Sequence, residues 1–214
     1  MKKYLTKTPS IIQQIFKNYT WHFSLAKKEI YLTFDDGPTP EITKFVINEL
    51  QKHNAKATFF CIGKNIENHP KIFREIISEG HSVGNHTQNH FNGWKTEKAN
   101  YINNVLQVEK TIEFLNLKAF KPNLFRPPYG KIKRKQARKL RDLGYRIIMW
   151  DVLSADFDTS ITKEKCLENV IKNTTNGSVV VFHDSIKAFE KLKYTLPKVL
   201  EYYSEKGFTF KAIT

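Results

Sequence analysis

Short apolar runs alternate along this chain with longer stretches in which apolar and polar residues repeat at helical spacing. Apolar residues at Tyr101, Val105, Val108, Ile112 and Leu115 recur every three or four positions, which is typical of an amphipathic helix. Seven other runs, rich in β-branched and aromatic residues, indicate strands. These runs are residues 29–34, 57–62, 81–84, 124–125, 146–150, 178–182 and 208–212.

The alternation of strands with helices predicts an α/β fold. Consecutive strands joined by a helix pair in parallel through right-handed crossovers and form a buried sheet. A doubly wound sheet and a barrel both satisfy this pattern. Residues 1–28 carry no motif, so we expect an N-terminal extension that packs on one main domain, residues 29–214.

Composition narrows the class of protein. The 214 residues are 40% hydrophobic, as expected for one globular domain. The net charge of +14 raises nucleic acid as a partner. However, the densest basic cluster, residues 131–141, lies on a predicted helix with an apolar face, so we interpret it as a solvated helix surface and expect no nucleic acid.

The chain shows no targeting or membrane signal. The first 28 residues lack the apolar core of a signal peptide, and no apolar run is long enough to span a bilayer. The expectation from sequence is therefore a cytoplasmic protein, with an envelope-associated or exported protein as the alternative, and we predict a monomer. Cys61 and Cys166 have no metal-site spacing and are expected to be reduced and buried.

Polar residues that carry chemistry follow several of the predicted strands. In α/β barrels and open sheets, reactive groups gather beyond the carboxyl ends of the parallel strands. We therefore expect one cluster at that rim. Its candidates are Asp35, Asp36, His86, His90, Arg126, Asp151, Asp156, His183 and Asp184.

Four of these candidates predict a metal site. Adjacent Asp35 and Asp36 repel each other and require a compensating cation. His86 and His90 are four residues apart and would point the same way on one helical turn. Two imidazoles and one carboxylate leave an open coordination position, as in catalytic zinc sites. The second carboxylate, held ionised by the cation and by Arg126, would then accept a proton from an activated water.

Five motifs together resemble a known family, the polysaccharide deacetylases, which have the NodB-homology fold of carbohydrate esterase family 4. The resemblance extends from about residue 29 to residue 212. The motifs are TFDDG at 33–37, HTQNH at 86–90, RPPYG at 126–130, WD at 150–151 through DF at 156–157, and VFHD at 181–184.

The resemblance implies a fold and an activity. Family members form an incomplete, distorted (β/α) barrel of about seven parallel strands. They remove N-acetyl groups, and in some cases O-acetyl groups, from sugar polymers with one divalent metal ion. Zinc is our first choice here, and cobalt, nickel or manganese are alternatives. Carried onto this chain, Asp35 is the base, Asp36, His86 and His90 are the metal ligands, and His183 is the acid.

The resemblance also implies supporting roles. Arg126 would pair with Asp35, and the backbone N–H of Tyr129 would help to hold the oxyanion. Apart from the resemblance, four aromatic residues near the rim are candidates for stacking on sugar rings: Trp94, Tyr129, Trp150 and Phe157.

The fourth motif departs from the family pattern. The family commonly has two aspartates there, with a tryptophan after the second, whereas this chain has Leu153 and then Phe157. Asp156 is our candidate partner for His183, because a carboxylate raises the pKa of a histidine. Asp151 and Asp158 are the rivals for this role.

The sequence therefore predicts a hydrolase that acts on acetylated glycans such as chitooligosaccharide or peptidoglycan. One alternative keeps the fold but cleaves another non-peptide C–N bond. A second alternative, from a different class, is a basic nucleic-acid-binding protein, whose affinity would fall steeply with salt.

Overall fold

The computed structural model describes residues 4–115 and 123–214. Within these ranges the chain alternates between strands and helices, as the apolar pattern predicts. The strands are β1 Glu29–Asp35, β2 Thr58–Cys61, β3 Ser82–Asn85, β4 Leu124–Phe125, β5 Arg146–Ile147, β6 Val152–Leu153, β7 Val179–His183 and β8 Thr209–Phe210. The helices are α1 Ser10–Ile15, α2 Ile42–Lys52, α3 Gly63–Asn68, α4 Pro70–Ser78, α5 Lys98–Phe114, α6 Arg134–Asp142, α7 Lys163–Ile171 and α8 Phe189–Glu205.

The strands form a curled parallel sheet with β1 near its centre. The order across the sheet is β5-β4-β3-β2-β1-β7-β6, and β8 pairs with the beginning of β1. Every strand pair is parallel. The prediction of an incomplete parallel barrel is therefore confirmed. This strand order excludes the doubly wound sheet that the sequence also allowed.

Aromatic packing anchors the central strand. Phe34 of β1 is fully buried, and its ring stacks against Phe59 at 5.1 Å and against Phe182 at 6.0 Å between ring centroids. Such pairs add about 0.5–1.5 kcal/mol each to the gain from burial. Because these residues precede the carboxyl ends of β1, β2 and β7, their packing fixes where the following polar residues lie.

The half-barrel is open between β5 and β6, and a segment that we call the N-terminal strap (residues 4–23) lies across this opening. Thr20 bonds to the free edge of β5. Its N–H donates to the carbonyl of Ile147 at 2.8 Å, and its carbonyl accepts from the N–H of Met149 at 2.7 Å. Residues 1–3 of the predicted extension lie outside the described ranges.

The strap also covers the free edge of β6. The carbonyl of Thr6 accepts from the N–H of Leu153, and the N–H of Thr8 donates to the carbonyl of Asp151, both at 2.9 Å. Lys7 adds an ion pair with Asp151, with 2.7 Å between Nζ and Oδ2. Backbone groups that an open sheet leaves unpaired are thus satisfied by the strap.

Two details of the sheet differ from the sequence prediction. Strand β6 follows the predicted run 146–150 after one polar residue and was not predicted as a separate strand. The predicted strands at 146–150 and 208–212 are shorter, ending at Ile147 and Phe210. No helix within residues 4–115 and 123–214 is both long and apolar enough to cross a bilayer.

Candidate active site

Three side chains converge where β1 and β3 end. The Asp36 carboxylate lies 3.1 Å from His90 Nε2 and 3.7 Å from His86 Nε2, measured from Oδ1. One donor atom from each residue lies within 4.8 Å of the others. The structure thus brings together the three residues that the sequence proposes as metal ligands.

The loop that carries both histidines is not helical, so the predicted helical turn is wrong. Thr87 and His90 have φ angles of 65° and 54°, in the left-handed region. This loop is held instead by side chains, because the N–H of Thr87 donates to Asn85 Oδ1 at 2.9 Å and the N–H of Phe91 donates to Thr87 Oγ1 at 3.0 Å. The two imidazoles still face the same point, with ring centroids 5.1 Å apart.

The chemistry of the three donors fits a divalent cation. His86 Nδ1 lies 2.8 Å from the carbonyl of Arg126, which only accepts, so Nδ1 carries the proton and Nε2 presents a lone pair. Burial lowers the pKa of His86 to about 4, so the ring is neutral. Asp36 Oδ1 is buried without a hydrogen bond of acceptable geometry. The Nε2 lone pair of His86 and the Asp36 oxygen repel each other unless a cation lies between them.

Asp36 is ionised in this environment. Burial acts to raise its pKa, but the His90 imidazole 3.1 Å away and the positive charge of His183 hold it well below the usual value. The carboxylate is therefore ready to bind a cation near neutral pH.

A buried carboxyl group fixes the backbone beside Asp36, and sequence reasoning assigned it no role. Asp184 Oδ1 accepts from the N–H of Gly37 at 3.0 Å, and Oδ2 accepts from Thr43 Oγ1 at 2.5 Å. A Cβ at position 37 would lie 2.0 Å from Asp184 Oδ2, so only glycine fits. Burial raises the pKa of Asp184 to about 8. The signal in the sequence that could have identified Asp184 is its position directly after His183, the candidate acid.

Arg126 and Asp35 form a buried ion pair beside the three donors. Arg126 is fully buried, Asp35 is 3% exposed, and 2.7 Å separates Nη1 from Oδ1. The remaining guanidinium donors bond to Thr33 Oγ1 and to the carbonyls of Ile148 and Met149. Asp35 is therefore held in one position by a charge that has no other anionic partner within the described chain.

His183 lies on the other side of Asp35, at the end of the neighbouring strand β7. The two residues are register partners in the parallel sheet. His183 Nδ1 lies 2.7 Å from Asp156 Oδ1, and its backbone N–H donates to Asp156 Oδ2 at 2.8 Å. Burial acts to lower the pKa of His183, but the charge and hydrogen bond of Asp156, with the charges of Asp36 and Asp35, raise it to about 9.

The two rivals of Asp156 bond elsewhere. Asp151 accepts from Lys7, from Ser178 Oγ and from the N–H of Val179 at the beginning of β7, away from the rim where we predicted it. Asp158 accepts from the hydroxyl of Tyr4 and from Ser160. The structure thus brings only Asp156, of these three, to His183.

Phe157 links His183 to the N-terminal strap. Its ring meets the His183 imidazole edge-on, with centroids 5.2 Å apart, and meets the Tyr4 ring edge-on at 5.5 Å. Tyr4 therefore supports the loop that holds Asp156. Sequence reasoning missed this contact, because residues 4 and 157 share no motif.

The other three aromatic candidates have different surroundings. Tyr129 is 59% exposed, and its ring centroid lies 4.5 Å from that of His90. Within the described residues its amide makes no backbone hydrogen bond, so this donor is available at the rim. Trp94 is 60% exposed. The Trp150 ring packs under the rim instead, 5.7 Å from the Arg126 guanidinium. Its contact with substrate stays a prediction.

Comparison with known proteins decides the family. The sequence profile of the family described as polysaccharide deacetylase matches residues 22–148. The chain belongs to the polysaccharide deacetylase family. This match includes the first three motifs, whereas Asp156 and His183 lie beyond its end.

Relatives and solved structures agree with this family. A peptidoglycan-N-acetylglucosamine deacetylase of Bacillus cereus is 38% identical over 79% of this chain and 61% of the relative. A second protein of the same name and organism is 31% identical over 91% of each chain. The crystal structure of a peptidoglycan N-acetylglucosamine deacetylase superposes with a TM-score of 0.87 at 32% identity, covering 96% of this chain and 95% of the other. The chain thus spans about three fifths of the first relative's length.

Proposed function

We propose that this member of the polysaccharide deacetylase family is a metal-dependent hydrolase that removes N-acetyl groups from glycans. The observation that carries the proposal is one rim on which Asp36, His86 and His90 converge beside two further groups, Asp35 and His183. Amide hydrolysis requires an activated water, a stabilised oxyanion and a proton for the amine, and this rim offers a group for each.

The metal site would be formed by Asp36, His86 and His90. A divalent cation, with zinc as our first choice, would lower the pKa of a water and polarise the acetyl carbonyl there. Two neutral imidazoles and one carboxylate accept several divalent ions, so cobalt, nickel and manganese are also to be tested.

Asp35 is the proposed base. Its carboxylate is fixed by Arg126 and lies next in the chain to Asp36, so it is held within reach of water at the metal site. Arg126 bonds to Oδ1 of Asp35 and leaves the second carboxylate oxygen without a partner from the guanidinium. Proton acceptance by a positioned carboxylate contributes about 10²–10⁴-fold to rate.

His183 is the proposed acid. The hydrogen bond to Asp156 orients its ring through Nδ1, so Nε2 is the atom that would protonate the amine. The raised pKa keeps this histidine protonated near neutral pH. The free amide of Tyr129 would donate to the oxyanion, as in other oxyanion holes built from backbone N–H groups.

The substrate proposal is an N-acetylated polysaccharide, with peptidoglycan and chitooligosaccharide as the first to test. The names of the relatives support N-acetylglucosamine in peptidoglycan. The exposed rings of Tyr129 and Trp94 support a sugar polymer, because exposed aromatic rings can stack on sugars and the Tyr129 ring lies against His90.

The decisive experiment measures acetate release and metal binding together. Purified protein is stripped of metal, reloaded with single divalent ions, and assayed on acetylated glycans. We expect Asp36→Ala to lose metal affinity, and Asp35→Asn to bind metal while kcat falls about 10²–10⁴-fold. Metal binding by Asp35→Asn also shows that this variant is folded. The exposed Asp142→Asn is the charge-matched control. Full turnover after exhaustive chelation would contradict the mechanism.

A further inference from the structure

Trp94 is exposed although its backbone is rigidly held. The side chain of Asn92 accepts from the N–H of Trp94 at 3.0 Å. Fully buried Gln136 donates to the carbonyls of Gly93 and Thr96 at 2.9 and 3.0 Å. The 60% exposure of Trp94 is therefore a fixed feature of the surface and not the result of a loose loop.

The turn that presents Trp94 is fastened to the segment that follows Tyr129. The N–H of Gly93 donates to the carbonyl of Lys131 at 3.1 Å. A Cβ on Gly93 would lie 2.5 Å from that oxygen, so the close approach requires glycine. Trp94 and Lys131 thus keep a constant relation to Tyr129, whose ring contacts the metal-site residue His90.

Lys131 carries a charge without an anionic partner. Its Nζ lies 5.3 Å from the centroid of the Trp94 ring, within the range of a cation–π contact. Among residues 4–115 and 123–214, no hydrogen bond or ion pair involves this ammonium. A large exposed aromatic ring and a free cation are therefore held together at one fixed place, next in the chain to the rim residue Tyr129.

We propose that Trp94 and Lys131 form a subsite for an acidic sugar unit that neighbours the N-acetylated sugar at the metal site. The inference rests on the proposed function and narrows its substrate to glycans in which N-acetylated and carboxylate-bearing sugars occur together. The apolar face of the acidic sugar would stack on the indole, and its carboxylate would pair with the Lys131 ammonium. A neutral glycan would use only the ring.

The test compares one glycan in two charge states. Acetate release is measured on N-acetylated strands that contain carboxylate-bearing sugars and on the same strands after the carboxylates are converted to amides. The quantity of interest is the ratio of kcat/KM for the acidic strands to kcat/KM for the amidated strands. We expect Lys131→Gln to lower this ratio about two- to fivefold, the most that an exposed ion pair supplies. High salt should lower the wild-type ratio as well.

Matched variants separate charge recognition from packing. Lys131→Arg should keep the ratio, because it keeps the cation. Trp94→Ala should lower kcat/KM on both strands, because both lose the stacking surface. Lys211→Gln removes an exposed lysine beside β8, at the opposite end of the sheet, and should change neither value.

Each other result overturns the subsite. An unchanged ratio in Lys131→Gln, or an equal fall in Lys211→Gln, would show that Lys131 merely covers the indole or adds to the overall charge. If acetate is released but the ratio of kcat/KM values is unchanged in Lys131→Gln, only the subsite proposal is contradicted. If wild-type protein with metal releases no acetate from either strand, the proposed function fails, and the subsite fails with it.

Discussion

The two sides of the rim are built differently. On the side of the proposed metal site, which we call the metal side, Asp35 and Arg126 are buried and bonded to strand ends and backbone carbonyls of the sheet. On the side of the proposed acid, which we call the acid side, His183 depends on Asp156, in a loop that rests against the N-terminal strap through Phe157. Groups fixed by a sheet are positioned more rigidly than groups fixed by loops. We therefore expect the metal side to matter for folding as well as chemistry, and the acid side mainly for catalytic efficiency.

The largest effect on stability should come from Arg126→Met. Removing the guanidinium leaves Asp35 buried without its cation and leaves the carbonyls of Ile148 and Met149 without donors, so the free energy of unfolding should fall by about 3–5 kcal/mol. Urea denaturation followed by circular dichroism measures this change. Lys172→Met, which removes an exposed ion pair with Glu168, is the control and should cost less than about 1 kcal/mol. Similar values for both variants would contradict the role of the buried pair of Asp35 and Arg126 in folding.

On the acid side, Asp156→Asn should change the pH dependence. The pKa of His183, raised to about 9 from 6.5, adds stability that is complete below about 6.5 and lost as pH rises through about 9. The variant lowers this pKa, so in metal-free protein the loss of stability should move to lower pH. The basic limb of the pH profile of kcat should move in the same direction. The kcat value should fall less than it would on loss of the general acid itself, which contributes about 10²–10⁴-fold. An unshifted profile would contradict the role of Asp156.

A smaller effect is expected from the strap. Tyr4→Ala removes one ring pair worth about 0.5–1.5 kcal/mol, so kcat should fall by no more than about tenfold while metal affinity stays constant. Tyr4→Phe keeps the ring and loses only the hydroxyl that donates to Asp158, so it should retain most of the activity. Steady-state kinetics and metal titration on the same samples make the comparison. Loss of metal affinity in Tyr4→Ala would show that the two sides are not separate.

The sequence contains the metal side almost completely. Asp35, Asp36 and Arg126 come directly after apolar strand runs, and parallel strands bring their carboxyl ends to one edge, so these three residues could be placed together before the structure was known. The local geometry could not be predicted. His86 and His90 face one point because of left-handed residues in a loop, whereas their spacing alone favoured a helix.

The acid side was less accessible to sequence reasoning. Asp151, Asp156 and Asp158 lie in one short segment, and only tertiary hydrogen bonds distinguish them. The contact between Tyr4 and Phe157 joins distant parts of the chain without any periodic signal. The N-terminal strap is similar, because it bonds to strand edges through its backbone, and backbone groups are the same whatever the residue.

The strap has a consequence for aggregation. The free edges of β5 and β6 carry N–H and C=O groups that would otherwise offer a template for a strand from another molecule. Thr6 and Thr20 occupy those groups within the same chain. Loosening the strap would therefore expose two unpaired strand edges. A variant with a loosened strap that still folds and binds metal is expected to self-associate through its sheet.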